Sequence, residues 1–172
     1  MFSVVKNEKG SNHRGSQIFY NKFMPRHINL IPLSHDHHEA LLIALRLKKG
    51  GPTSQHDHLW SAELPKQLHS LQLFFDRELL PHFKLEEEIL FPVAATLGEI
   101  QPLIKTLLAQ HQQMRDRINN LFQITDDDDR LKKALADFGA ILEVHIRTEE
   151  RELFPKLEEA EMQGRVKLPM LK

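Results

Sequence analysis

Two eleven-residue stretches of this chain follow one pattern. HFKLEEEILFP runs from His82 to Pro92 and HIRTEERELFP from His145 to Pro155, and both read H-x-x-x-E-E-x-x-L-F-P. Residues four apart on a helix lie on one face, a turn above each other. His82 therefore projects with Glu86, and His145 with Glu149. The neighbours identify the face: Phe75 and Leu79 precede His82, with Ile89 and Leu90 after it, and Phe138, Ile141 and Leu142 precede His145, with Leu153 after it. Both polar pairs stand inside apolar stripes that turn toward a core. Any fold of this chain has to bury two His–Glu pairs.

The rest of the sequence supplies helices to surround them. Ordered periodicity begins at IPLSHDHHEALLIALRLKKGGP, where Ser34 reads as an N-cap and Gly50-Gly51-Pro52 as the close of a helix of about 15 residues. Apolar positions return at helical spacing from Leu59 to Pro92, with Pro65 as a break and Pro81 as a kink or new start. IQPLIKTLLAQHQQMRDRINNLFQI reads as a third amphipathic helix. Asp126 to Asp129 lack the spacing of a calcium loop and suit a helix N-terminus, so they read as a cap. The last helix follows and is read as stopped by Phe154-Pro155. Strand signals are missing. The expected fold is all-α, an antiparallel up-and-down four-helix bundle.

Composition narrows the chemistry. The 172 residues carry a formal net charge of -1, which gives no bulk attraction to nucleic acid or anionic lipid. No cysteine is present, so disulfides, thiolate nucleophiles and cysteine-ligated metals are excluded. The N-terminus lacks the apolar run of a signal peptide and no 18-residue apolar stretch occurs, so a soluble cytoplasmic protein without membrane partners is expected. Nothing suggests a nucleotide loop or a serine nucleophile. Eleven histidines, in contrast, call for an explanation.

His111 sits among Ile104, Leu107, Leu108, Met114 and Ile118, and the first helix offers His35, His37 and His38 ahead of Leu41, Leu42, Ala44 and Leu45. An unpartnered buried carboxylate costs several kcal/mol or more, and two in one core repel. No lysine or arginine occupies these inward positions. One or two metal ions between the pairs would remove both costs.

The arrangement resembles the hemerythrin family, specifically the bacterial HHE-type cation-binding domains. The resemblance covers about Leu30 to Glu159. It rests on DHHEAL, HFKLEEEILFP, QHQQMRDRI and HIRTEERELFP. It implies a bundle over 30–160, with an N-terminal extension (1–29) and a C-terminal tail (161–172). It also implies a non-haem diiron centre, with zinc or manganese as alternative metals. Carried over residue by residue, the ligands are His37, His82, Glu86, His111, His145 and Glu149. Helical spacing alone leaves His38 as an alternative to His37.

Two departures separate this chain from the oxygen-carrying hemerythrins. Four residues after His111, where they have a second histidine, stands Arg115; and Glu149 lies four residues after His145, where they have an aspartate five after. If both glutamates bridge, the four histidines and two glutamates give each ion two nitrogens and two oxygens, leaving about two octahedral positions open. Reversible oxygen transport is therefore not expected. The implied function is binding or sensing of oxygen, nitric oxide or iron. The alternative is a diiron redox enzyme that reduces peroxide or handles oxidised iron. Ferritin-like oxidases, with Glu-x-x-His and a carboxylate-dominated site, show the reverse order. Glu87 and Glu150 read as flanking charges able to act as hydrogen-bond acceptors behind the ligands or as extra ligands. His56 and His58 read as loop residues.

Overall fold

The computed structural model describes residues 25–54, 57 and 60–171. Among the described residues the chain is helical throughout its regular structure and has no strand. Lys6 to Gly15, Tyr20, His56 and His58 lie outside them. Four helices form an up-and-down bundle: α1 (Ile31–Lys49), α2 (64–94), α3 (Gln101–Leu121) and α4 (128–162).

Each helix starts and stops for local reasons. Pro32 occupies the first turn of α1, where its missing N–H costs no hydrogen bond. The helix therefore begins three residues before Ser34, which is not the N-cap; its hydroxyl donates instead to Glu150 Oε1 at 2.8 Å. Gly50 ends α1 at φ 68°, the left-handed geometry glycine adopts freely, and its N–H returns to Arg46 and Leu47 carbonyls. Pro65 sits in the first turn of α2, so it opens that helix rather than breaking it. Asp127 caps α4, accepting the Arg130 amide at 2.8 Å.

The Phe-Pro pairs do not stop their helices. The chain widens into a π turn before each of them, at Glu86–Leu90 and Glu149–Leu153, and then continues to Ala94 and Met162. In the wide turn Phe91 N–H reaches the Glu86 carbonyl and Phe154 N–H the Glu149 carbonyl. A third π turn, Phe75–Leu79, precedes Leu80-Pro81, so Pro81 is accommodated in the same way. A proline ring inside an α-helix clashes with the carbonyl one turn back; the extra residue of a π turn relieves that clash. It also rotates the following positions. Ile89 is exposed, contrary to the simple helical spacing, while Leu90, Phe91 and Ala94 are buried.

On α1 the inward stripe is Leu33, His37, Ala40, Ala44 and Leu47, which leaves Leu42 and Leu45 exposed. Leu108 on α3 is exposed likewise.

The core is in two parts. One apolar cluster includes Leu47, Leu71, Phe75, Phe83, Met114, Phe138 and Leu142. The other includes Leu33, Leu90, Phe91, Leu107, Leu153 and Phe154. After α4 the chain turns at Gly164 and lays Leu168 and Leu171 into the second cluster. Between the clusters lies a layer of buried polar side chains, at a similar height on all four helices: Leu33–His37–Ala40, Leu79–His82–Leu90, Leu107–His111–Met114 and Leu142–His145–Leu153.

Helix α1 packs most closely on α4, and Gly139 is the reason. A Cβ at this position would stand 2.7 Å from the Ala44 carbonyl oxygen and 3.0 Å from Leu47 Cβ. Because the first obstacle is backbone, the helices themselves must move apart. Gly139→Ala gains up to about 1 kcal/mol of helix propensity but overpacks a tight contact at about 1–3 kcal/mol. The expected net result is a Tm lowered by several degrees in thermal unfolding; an unchanged or raised Tm would show that this approach is not close.

Candidate metal centre

The polar layer brings all six sequence-predicted side chains together. Glu86 and Glu149 are 0% exposed and His37, His82, His111 and His145 no more than 6%. His38 and His35 on α1 are exposed, so the helix turns His37 inward. Two sets of ligand-type atoms result, each within 4.8 Å of one another: His37, His82, Glu86 and Glu149, and His111, His145, Glu86 and Glu149. Both glutamates belong to both sets.

The ligand-type atoms of the two sets stand close together. His37 Nε2 lies 3.2 Å from His82 Nε2, and His111 Nε2 lies 3.1 Å from His145 Nε2. Glu86 reaches both halves, with Oε1 at 3.2 Å from His82 Nε2 and Oε2 at 3.3 Å from His111 Nε2. Glu149 Oε2 lies 3.2 Å from His37 Nε2 and 3.3 Å from His145 Nε2. Neighbouring ligands about 2.1 Å from one ion, at a right angle, stand about 3.0 Å apart. The observed separations match that spacing. Moreover, all four carboxylate oxygens are buried without a well-directed hydrogen-bond donor. Buried polar atoms are nearly always satisfied, so the donor set fits a cation at each half.

The outer nitrogen of every histidine is held from the adjacent helix. His37 Nδ1 donates to Glu150 at 2.7 Å, His82 Nδ1 to Asp36 at 3.1 Å, His111 Nδ1 to Glu87 at 2.8 Å and His145 Nδ1 to the Gln110 amide oxygen at 3.0 Å. Carboxylates accept only, so these bonds place a proton on Nδ1 and aim Nε2 at the centre. Glu87 and Glu150 are thus acceptors behind the histidines rather than free surface charges. Asp36 and Gln110 were not singled out from the sequence. The available signal was position: each immediately precedes an inward histidine on its helix.

Arg115 lies outside this shell. It bonds Glu87 at 2.9 Å and its guanidinium sits 5.5 Å above the Phe83 ring, which itself stacks on His111 at 3.9 Å. Arg26 and Ser34 hold Glu150 on the other side. A small cavity of about 20 Å³ leads inward between α1 and α2. His37, His82 and His145 line its inner end, and exposed Asp36, Glu39 and Glu78 its mouth. That is room for a ligand the size of water or a diatomic molecule.

Without an ion, protons hold this layer together. Burial pushes His37 down, but the close approach of Glu149, the hydrogen bond to Glu150 and the nearby carboxylate charges outweigh it and raise the pKa to about 9. For His82, burial is likewise outweighed by the Glu86 charge and the Asp36 bond, giving about 10. Burial and then the Glu86 charge push Glu149 up to about 7. Glu86 is held low in spite of its burial by the charge of His82 and the close approach of His111. Burial, and then the charge of His111, lower His145.

A family model described as the hemerythrin HHE cation binding domain matches residues 26–157. No curated protein and no solved structure matches the chain.

The sign of the pH dependence follows. His37, His82 and Glu149 all bind protons more tightly in the folded state. The stability they give the metal-free protein is complete below about pH 4.5, then declines as pH rises through 7 toward 9–10. Glu86 works oppositely, losing its contribution only below its ordinary range. Metal-free protein should therefore melt at least about 5 °C lower at pH 8.5 than at pH 5.5, equivalent to a loss on the order of 2 kcal/mol. Metal-loaded protein should not follow this decline, so the gap between the two widens with pH. A pH-independent gap would show that these groups do not exchange protons for the ion.

Proposed function

The chain belongs to the hemerythrin HHE cation-binding family, and from that premise we propose that it holds two iron ions and binds or senses a small ligand at them: dioxygen, nitric oxide or peroxide. His37 and His82 would hold one ion, His111 and His145 the other, with Glu86 and Glu149 bridging both. The observation that carries this reading is the facing of two buried carboxylates, Glu86 and Glu149, by four Nε2 atoms in the core. Mixed imidazole and carboxylate ligation suits iron and also admits zinc or manganese.

A ferrous pair, when bound, supplies two electrons and open coordination positions. The chain's own residues do the rest. Asp36, Glu87, Gln110 and Glu150 fix the imidazole orientations, which keeps the ligand set preformed. Phe83, Leu142 and Ile146 wall the cavity and exclude bulk water, while its narrow bore admits only small ligands. Arg115 replaces no ligand, because its guanidinium is bound to Glu87, the carboxylate that holds His111 Nδ1. With two histidines and two shared glutamates to hold it, each ion would keep open coordination positions, which favours sensing or redox chemistry over reversible carriage.

Purified protein should contain two metal ions per chain by elemental analysis, iron in preference. The double variant His82→Ala/His145→Ala should lose most of them, whereas His69→Ala, at an exposed position on α2, should keep both. Full retention in the double variant refutes the ligand assignment. Mixed anaerobically and then exposed to oxygen, the ferrous protein should oxidise within minutes without a lasting adduct. A stable, reversible oxygen spectrum would identify a carrier instead. Repeated consumption of peroxide in the presence of a reductant would identify an enzyme.

A further inference from the structure

We infer that the two halves of the centre are unequal, and that the His37–His82 half, backed by Asp36, holds a divalent cation more tightly than the His111–His145 half, backed by Gln110. The inference rests on the metal-binding reading above and adds to it which ion is held and released first.

The centre has a near two-fold arrangement. His37 corresponds to His111, His82 to His145, and Glu86 to Glu149. Behind them Glu150 corresponds to Glu87, each carrying a carboxylate to a histidine Nδ1 at 2.7 and 2.8 Å. Each of these carboxylates is in turn matched by an arginine, Arg26 for Glu150 and Arg115 for Glu87. The correspondence fails at one pair. His82 Nδ1 donates to the carboxylate of Asp36 at 3.1 Å, while His145 Nδ1 donates to the neutral amide of Gln110 at 3.0 Å.

That single difference has a definite electrostatic sense. A carboxylate behind an imidazole pulls on its Nδ1 proton and makes Nε2 a stronger donor; an amide oxygen orients the ring with much less pull. No cation lies within ion-pairing distance of Asp36 other than His82 itself among the described residues. The first half therefore carries one more uncompensated negative charge than the second. The cavity adds to the difference: Asp36, Glu39 and Glu78 stand at its mouth, and its inner end is lined by both histidines of the first half, His37 and His82, but by only His145 of the second. His111, at 0% exposure and covered by Phe83 and Phe91, lies on the far side.

Cobalt(II) titrated into metal-free full-length protein tests this, followed by visible absorbance and calorimetry. Two ions sharing two carboxylates repel, so stepwise binding alone decides nothing. The step that each variant moves is the decisive reading. Outer-sphere partners of ligating histidines typically matter by about 10–100-fold in affinity. The Asp36 side chain is 55% exposed, which places its effect near the low end. Asp36→Asn keeps an acceptor and removes the charge; it should weaken the tighter step about tenfold and leave the other unchanged. Gln110→Glu adds the missing charge and should tighten the weaker step by a similar factor. A shift of the weaker step by Asp36→Asn, or no shift by either variant, overturns the inference while two-ion binding stands. No cobalt binding by the unmodified protein overturns the metal centre as well.

Discussion

Two carboxylates in one buried layer set the terms for this fold. Glu86 and Glu149 are fully buried, bear like charge, and have no well-directed hydrogen-bond donor on any oxygen. Such a pair is among the most costly things a core can contain. A bundle that only needed stability would fill the layer with leucine. The four imidazoles around the pair are what make it tolerable, either by sharing protons with the carboxylates or by joining them in holding a cation. Proton and metal therefore compete for one set of atoms, and the raised proton affinity of His37 and His82 is the metal-free face of the same arrangement.

The demand spreads outward from that layer. Each imidazole has to present Nε2, so each Nδ1 needs an acceptor, and the acceptor always comes from an adjacent helix: Glu150 on α4 for His37 on α1, Asp36 on α1 for His82 on α2, Glu87 on α2 for His111 on α3, Gln110 on α3 for His145 on α4. The bonds close a ring around the bundle and tie every helix to its neighbour at the height of the centre. Above and below it the apolar clusters hold the helices at fixed spacing, and Gly139 lets α4 approach α1 at backbone contact. Packing and ligation thus fix the same inter-helix distances.

Much of this was legible from spacing. A histidine and a glutamate four apart, flanked by apolar residues at three and seven, identify a polar pair within a core stripe, and the pair occurs twice. Gly50 as a helix end and Asp126 to Asp129 as a capping run were legible for the same local reason. What was not legible depends on register between helices. Asp36 and Gln110 acquire meaning only when a neighbouring histidine arrives opposite them, and no property of DHHEAL or QHQQ alone announces it. The choice between His37 and His38 is similar: adjacent residues differ by about 100° around a helix, and the loose stripe of Leu41, Leu42, Ala44 and Leu45 covers too wide an arc to decide. Ser34 was misread because Pro32 had already opened the helix.

The Phe-Pro ends of the repeated motif were misread for a more instructive reason. Proline after a periodic run reads as a stop, yet α2 and α4 both run on. All three π turns end two residues before a proline, at Leu79, Leu90 and Leu153, and only two of them contain buried glutamates. Proline, rather than the ligand, is therefore the common cause of the wide turn. Its effect on the site is nonetheless direct. Glu86 and Glu149 are each the first residue of such a turn, and their carbonyls accept the amide just before the proline. The widened backbone shifts the positions beyond the glutamate by one, which turns Phe91 and Phe154 inward behind Leu90 and Leu153 and seals the layer from below. H-x-x-x-E-E-x-x-L-F-P is thus one device: its first five residues supply a nitrogen and a carboxylate on one face, and its last three end a wide turn that buries two apolar residues in succession. A chain needing two such half-sites repeats the whole pattern, because the ligands without the turn would leave the glutamate beside the wrong neighbour.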